Sequence, residues 1–431
     1  MTSLAETAKT ELAGMELFTK LGDEVEAAWR DADYDELQLP AIAKQKLIEH
    51  DLPSKLTPWN VLEWAMMRPE LPPQADPNAS FGDPPITVYS GARFYIDVYF
   101  WFTGTTATHQ HSFSGAFQVF AGSSIHSWYE FFQDDYVNVF MRFGRIDLKL
   151  CELLEVGNVQ EILAGKDYIH SLFHLDDPSV TIVIRTRNSP MFLPQYSYHK
   201  PHLATDPFFV QHSLTKKIQS MGAMLKAKRP DADDKIIQML STCDLHQTYL
   251  ILTGLRPMLR SDKVKQMFGV ENFDERFGKI FEAARARHGE RAERLLDVFK
   301  RQDKLAFMVE RRNFVADPEL RFFLAVILNV DGRDNIIRLI KQRFPESDPK
   351  EKILDWTFDL ANTRVMGVEP PNALGIESFG DIDIAIFEEM LNGKESADIR
   401  ETLSSQGAQP DDLHDRIDRI TRSPMLSPLF Q

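Results

Sequence analysis

Cysteine and clustered positive charge are both scarce in this chain of 431 residues. Only two cysteines occur, Cys151 and Cys243, too few for the disulfide framework of a small secreted protein. Acidic residues outnumber Lys and Arg by 64 to 49, and the formal net charge is −15, which disfavours nucleic acid and anionic membranes as partners. We therefore expect a reduced, cytoplasmic protein that binds neither nucleic acid nor membranes.

Several common sequence motifs are also missing. The chain has no Gly-rich phosphate loop, no C-x-x-C pair and no G-x-S-x-G serine motif. Its longest apolar runs, such as residues 322–330, fall far short of the roughly 20 residues that cross a bilayer. The first residues include acidic side chains and no apolar stretch, so we expect no signal peptide.

The residues that are present divide the chain into helical ends and a central β region. Residues 1–85 combine helical apolar spacing with a linker that holds six prolines between 68 and 85. Residues 86–190 show apolar residues with a period of two and glycines between short runs, which indicates an antiparallel sandwich or barrel. Residues 191–210 are predicted to be a connecting loop, and residues 211–431 a C-terminal helical domain. The predicted fold class is α+β.

Histidines are concentrated in the central region and just after it. Eight of the twelve lie between residues 109 and 212, where roughly three are expected by chance. His109 and His111 are two apart on a predicted strand and therefore point to the same side. Imidazole is the commonest metal ligand among neutral side chains, so this clustering predicts a metal site.

The two histidine segments resemble the motifs of the cupin superfamily. The first runs from Gly104 through His109 and His111 to a closing glycine turn, and the second has Gly165 five residues before His170. Within that superfamily the match looks most like the cysteine dioxygenase group, which holds iron(II) through three histidines without the usual glutamate. The resemblance covers about residues 86–190 only.

The resemblance implies a cupin-type antiparallel β-barrel, or double-stranded β-helix. It also implies His109, His111 and His170 as ligands of iron(II), with zinc, manganese or nickel as alternative metals. Gly115 and Ala116 occupy the place of the glutamate. Three neutral imidazoles leave the metal its full charge and open positions at which a small substrate and O2 can bind side by side.

Two further residues are candidates for a catalytic role. Tyr198 lies in the predicted connecting loop, where its hydroxyl could hydrogen-bond substrate or O2, or where its ring could simply pack against the helical domain. His174 shares a strand face with His170, so it could be a fourth ligand, a partner of the site or a structural residue.

Each of the other polar candidates in the β region leaves two alternatives open. Gln118 is expected on the strand face opposite to His111 unless Gly115 bends the strand, in which case it could contact metal or substrate. Arg185 and Arg187 could hold a substrate carboxylate or could pair with surface acids. His126 shares its strand face with Glu130, and that face could line the lumen or meet solvent.

Three functions are compatible with these features. The first is a mononuclear non-haem iron oxygenase acting on a small thiol or another metal-chelating metabolite. The second is a metal-dependent isomerase or lyase, in which the metal acts as a Lewis acid. The third is a ligand-sensing module without catalysis. The C-terminal helices could bind a protein partner or a second copy of the chain.

Overall fold

The computed structural model describes residues 4–75, 81–102, 107–260, 272–405 and 410–430. Gly104 of the first histidine motif and Pro77 of the predicted linker lie outside these residues. As predicted, helices occupy both ends of the chain and strands occupy its middle. Between α3 (Pro58–Met67) and β1 (Pro85–Ser90) the described residues form neither helix nor strand.

The elements follow one another along the chain in three blocks. The two other N-terminal helices are α1 (Leu4–Asp31) and α2 (Leu39–His50). The strands after β1 are β2 (Phe94–Trp101), β3 (Thr108–His111), β4 (Gly115–Ala121), β5 (Ser124–Asn138), β6 (Met141–Leu154), β7 (Val159–Ile162), β8 (Gly165–His174), β9 (Ser179–Thr186), β10 (Ser197–His199) and β11 (Leu203–Thr205). The later helices are α4 (His212–Lys226), α5 (Ala232–Leu240), α6 (Leu245–Leu259), α7 (Phe273–His288), α8 (Glu290–Arg312), α9 (Pro318–Asn329), α10 (Arg333–Arg343), α11 (Pro349–Asn362), α12 (Asp381–Leu391), α13 (Ser396–Ser405) and α14 (Pro410–Arg422).

The strands form a five-stranded sheet and a six-stranded barrel. The sheet has the order β1-β2-β9-β4-β7, and the barrel has the order β10-β11-β6-β5-β8-β3. Along the chain, β2, β4, β7 and β9 enter the sheet while β3, β5, β6 and β8 enter the barrel, so the chain passes back and forth between the two layers. This alternation is the defining property of a double-stranded β-helix. The predicted fold class, an antiparallel barrel flanked by helical segments, is confirmed.

The chain forms two compact units that are not consecutive segments. Unit 1 contains Met1–Glu130, Asp147–Leu193 and Asp303–Gln431, and unit 2 contains Phe131–Ile146 and Pro194–Gln302. Strands β5 and β6 each continue from one unit into the other. The domain boundaries that we predicted at residues 85, 190 and 210 stay predictions.

Unit 1 buries both faces of its strands. On β2, Phe94 and Ile96 pack with α1 to α3, whereas Tyr99 faces an inner cluster. That inner cluster also contains Phe113, Phe117, Val119, Leu154, Ile162, Tyr168, Leu172 and Val183, and it fills the space that we call the lumen. On β8, Phe173 faces away from the lumen and packs with the helices that follow residue 303. Helices therefore cover the outer face of β2 and the outer face of β8.

Unit 2 has a separate apolar core. Met141 and Phe143 of β6 and Leu203 of β11 pack there with residues of α4 to α8. Residues 191–210, predicted to be a connecting loop, include the short hairpin of β10 and β11. Its three-residue strands are too short to produce a recognisable alternation in the sequence.

Local signals separate neighbouring helices in the C-terminal half of the chain. The Asp244 carboxylate accepts a hydrogen bond from the Gln247 amide at 2.8 Å and starts α6, which is thereby separate from α5. Gly289 has a φ of 56° and separates α7 from α8.

Neither cysteine forms a disulfide, and both side chains are buried. Among the helices that the structure describes, none combines the length and the apolar character needed to cross a bilayer.

Gly115 on β4 lies close to the backbone of the neighbouring strand β9. A Cβ atom added there would lie 1.9 Å from the carbonyl oxygen of Ile184 on the neighbouring strand. Backbone cannot yield as a side chain can, so we expect Gly115→Ala to lower the free energy of unfolding by about 3 kcal/mol or more. Urea unfolding followed by circular dichroism measures this change.

Gly380 provides the matched control within the same unit, because a Cβ atom there would meet nothing within 4 Å. We expect Gly380→Ala to change stability by less than about 1 kcal/mol. Equal effects of the two substitutions would contradict the proposed strand contact.

Candidate metal centre

Pairing of β3 with β8 brings the three predicted histidines together. His109 lies directly opposite His170, and after a shift in register His111 lies opposite Gly165. Gly165 opens β8 with a φ of 82°, a conformation that disfavours any side chain. All three imidazoles are buried in the lumen of unit 1. One nitrogen from each lies within 4.8 Å of the other two.

The distances between these imidazoles suit a shared metal ion. The Nε2 atoms of His111 and His170 are 2.8 Å apart. Two ligands on adjacent positions of one metal, each bonded at ~2.1 Å, are separated by about 3 Å. The ring of His109 lies 4.6 Å from that of His111 and 4.9 Å from that of His170, measured between centroids. These three residues could therefore hold one divalent metal ion through neutral nitrogen donors.

Burial keeps these imidazoles in the neutral form that a metal requires. It lowers the pKa of His109, and it holds the pKa of His111 and His170 well below the usual value. The Nδ1 atom of His109 lies 2.6 Å from the carbonyl oxygen of Ala107. Because that nitrogen must donate to the carbonyl, Nε2 is left with a lone pair and meets no partner among the described residues. The orphaned Nε2 atom fits a ligand of a metal ion.

A second polar group, formed by His126, Glu152 and Tyr168, adjoins the three histidines. His126 Nδ1 lies 3.0 Å from Glu152 Oε1, and His126 Nε2 lies 3.1 Å from the hydroxyl oxygen of Tyr168. The Tyr168 ring is 4.5 Å from the ring of His170. The two alternatives left open for His126 are thus resolved, because its side chain faces the lumen. Sequence reasoning did not single out Glu152 or Tyr168, although Tyr168 has the same strand parity as His170.

His174 lies farther along β8 than the metal group. Four residues of strand separate it from His170 by about 13 Å, at ~3.3 Å per residue, which is too far to share one ion. Its ring stacks on Trp101 at 4.7 Å, and its Nδ1 atom is 3.0 Å from the Ser124 hydroxyl. Burial lowers the pKa of His174 to about 3. A catalytic role for His174 stays a prediction.

Tyr198 and Gln118 each contact residues other than the three histidines. Tyr198 is buried in unit 2, where its ring meets Phe131 at 5.1 Å, and its predicted catalytic role is untested. Gln118 donates from Nε2 to the carbonyl oxygen of Gly157. Its strand neighbours Phe117 and Val119 face the lumen, so Gln118 lies on the opposite face, as strand alternation predicts.

No protein-family model matches the chain, and no curated protein matches its sequence. Some solved structures resemble part of it. A cupin-2 domain containing protein from Shewanella frigidimarina NCIMB 400 is 15% identical, with 25% of this chain and 82% of that chain covered and a TM-score of 0.17.

Two enzyme structures show a similar level of likeness. Hydroquinone 1,2-dioxygenase from Sphingomonas sp. TTNP3 is 9% identical, with 26% of this chain and 70% of that chain covered and a TM-score of 0.19. A structure of the DMSP lyases RdDddP and RnDddQII is 16% identical, with 25% of this chain and 48% of that chain covered and a TM-score of 0.18. Each of these likenesses covers about a quarter of this chain.

The histidine geometry predicts that the chain binds one metal ion and that each of the three imidazoles is needed for this binding. We expect protein purified without oxygen to retain about one divalent metal ion per chain. We expect each of three substitutions to weaken metal binding by roughly a hundredfold or more: His109→Ala, His111→Ala and His170→Ala. Loss of a residue that only orients a metal ligand lowers metal affinity by roughly 10- to 100-fold, and loss of the ligand itself should lower it further. Elemental analysis after dialysis measures the metal content.

His199→Gln is the matched control. His199 is half-buried in unit 2, and its Nε2 atom lies 3.0 Å from the Thr205 hydroxyl. That variant should keep the metal. Full metal content in the three alanine variants would contradict the site.

Proposed function

We propose that this protein is a mononuclear non-haem iron(II) oxygenase that acts with O2 on a small metal-chelating metabolite, with thiols as the first class to test. The observation that carries the proposal is the group formed by His109, His111 and His170 in an enclosed lumen. These donors are all neutral, so bound iron would keep its full charge and open positions. Iron(II) in such a set supplies O2 chemistry and Lewis acidity.

The chain itself supplies apolar side chains around these imidazoles. Phe113 packs against the His111 ring at 4.4 Å, and Phe117 lies 6.5 Å from the His170 ring. Leu172 and Val183 belong to the same inner cluster. Walls of this kind displace water from the reacting groups, so every electrostatic interaction inside the lumen is strengthened.

A specific observation favours a second candidate, a metal-dependent isomerase or lyase without O2 chemistry. Glu152 faces Nδ1 of His126, so that nitrogen donates to the carboxylate and Nε2 is left to accept from the Tyr168 hydroxyl. The phenolic proton is therefore held toward His126, and the oxygen lone pairs of Tyr168 are left available to a molecule in the lumen. An isomerase or lyase needs such a group to move a proton.

One experiment separates the two candidates. Protein reconstituted with iron(II) is given a panel of small thiols in sealed cells, and O2 uptake and substrate loss are both recorded. We expect an oxygenase to consume O2 in proportion to substrate and to lose activity when zinc replaces iron. Turnover without O2, with zinc as effective as iron, would replace the first proposal by the second.

Tyr168→Phe adds a second criterion, because this substitution removes the hydroxyl and leaves the three imidazoles in place. If proton transfer through Tyr168 limits the rate, the variant should lose roughly 10²-fold or more in kcat at unchanged metal content. His109→Ala serves as the metal-free control. Tight ligand binding without turnover of any substrate would favour the sensing module instead.

A further inference from the structure

Arg312 lies behind the strand that carries the metal group. It is the last residue of α8, and its guanidinium carbon is 5.1 Å from the centroid of the Phe173 ring. Phe173 belongs to the core of the C-terminal helices, whereas His170 on the same strand faces the lumen. A ligand of Arg312 would therefore lie outside the lumen, and it would not be the substrate of the proposed oxygenase.

A second arginine, Arg321 of α9, is fixed beside Arg312. The Arg312 Nε atom donates to the carbonyl oxygen of Arg321 at 3.2 Å. In return, the Arg321 Nη1 atom donates to the carbonyl oxygens of Arg312 and Val315 at 3.3 Å and 3.2 Å. Both arginine side chains are half-buried. These reciprocal bonds hold the two guanidiniums in place before any ligand binds, which reduces the entropy lost on binding.

The N–H groups of this pair are incompletely used. Arg312 Nη1 and Nη2 make no hydrogen bond with the residues that the structure describes. Arg321 Nη2 has one acidic neighbour, the Asp177 carboxylate, whose Oδ2 atom is 3.9 Å away and thus beyond hydrogen-bond distance. Donors of both arginines therefore remain available to a ligand.

The charges around Arg312 do not balance. Arg321 and Asp177 are the charged groups that act on it, so these three side chains together carry one positive charge in excess. Burial and the neighbouring Arg321 lower the pKa of Arg312 to about 10, so its guanidinium is still charged at neutral pH. By contrast, Arg422 of α14 has its own acid, Asp418, at 2.9 Å. A bound anion would neutralise the excess charge of the pair.

We propose that Arg312 and Arg321 bind a tetrahedral oxyanion, either inorganic phosphate or the phosphate group of a small metabolite. The site lies at the outer face of β8, where α8 ends and α9 begins. A carboxylate offers two oxygens and is satisfied by one guanidinium fork, whereas a phosphate offers at least three and can meet two forks at once. Two adjacent arginines therefore favour phosphate over a carboxylate.

Calorimetry with inorganic phosphate tests the site. Titrations are made in chloride buffer at constant ionic strength, with acetate as the carboxylate for comparison. Wild type should bind phosphate roughly tenfold or more tightly than acetate. Arg312→Gln and Arg321→Gln should each weaken phosphate binding by roughly 10- to 100-fold, because each removes charge-assisted hydrogen bonds. Arg312→Lys keeps the charge but loses the fork, so its affinity should lie between those of wild type and Arg312→Gln.

Asp177→Asn gives a prediction of the opposite sign. The Asp177 side chain is 59% exposed, so this substitution should leave the fold intact. Removal of its negative charge should strengthen phosphate binding roughly two- to fivefold, because the carboxylate no longer repels the anion or competes for Arg321. A purely structural role of the two arginines predicts no such gain.

Arg343→Gln is the matched control within unit 1. Arg343 has the same kind of long ion pair, with 3.7 Å between its Nη1 atom and Glu155 Oε1. Within the described part of the chain, no second arginine is hydrogen-bonded to it. Arg343→Gln should bind phosphate as wild type does. His109→Ala should do so too, because the proposed site does not involve the metal group.

The remaining outcomes decide the proposal. No phosphate binding by wild type, equal affinity for acetate, or unchanged affinity in Arg312→Gln and Arg321→Gln would overturn it. An equal loss in Arg343→Gln would indicate a general charge effect, and loss of binding in His109→Ala would place the anion at the metal; either result would also overturn it. Circular dichroism verifies the fold of each variant. Glycerol phosphate distinguishes the two sources, because tighter binding than that of inorganic phosphate supports a metabolite and weaker binding supports the free ion.

Discussion

Antiparallel pairing of β3 with β8 brings His109 opposite His170, although four other strands lie between them in the chain. The register of this ladder is the constraint on which the site depends. A slip by one residue would turn one strand's side chains to the other face, and the imidazoles would no longer meet. Gly165, with its positive φ, begins β8 immediately before the histidine segment and marks where the ladder starts.

Apolar layers on both sides of the strands maintain that register within unit 1. Phe94, Ile96 and Phe100 anchor β2 against the N-terminal helices, and Phe173 anchors β8 against the helices after residue 303. A buried aromatic or branched side chain contributes about 1.5–3 kcal/mol when it leaves water. A one-residue slip would place several of these side chains on the wrong face, at a cost well above the energy of any one hydrogen bond. Packing outside the lumen therefore determines the geometry inside it.

Sequence reasoning predicted the features that depend on local spacing. The alternation from Phe94 to Trp101 predicted β2, and the pair His109 and His111 predicted a shared face. Residues around Gln133, near the end of the hairpin of β5 and β6, are polar and exposed and show no apolar alternation, so local spacing could not predict that the strands continue there. Local spacing also could not predict contacts between residues that are distant in the sequence. The partnership of His126 with Glu152 depends on strand register.

The two faces of β8 contact different parts of unit 1. His170 faces the lumen, while Phe173, three residues later, meets the helical layer, where the guanidinium carbon of Arg312 lies 5.1 Å from its ring. A strand moves as a unit, so a substitution in the helices that tilts Phe173 also displaces the imidazole behind it. We therefore expect substitutions that change the packing of Phe173 to alter the geometry of the metal group as well. Sequence changes there should be accepted in compensating groups rather than singly, as expected for two surfaces that share one backbone.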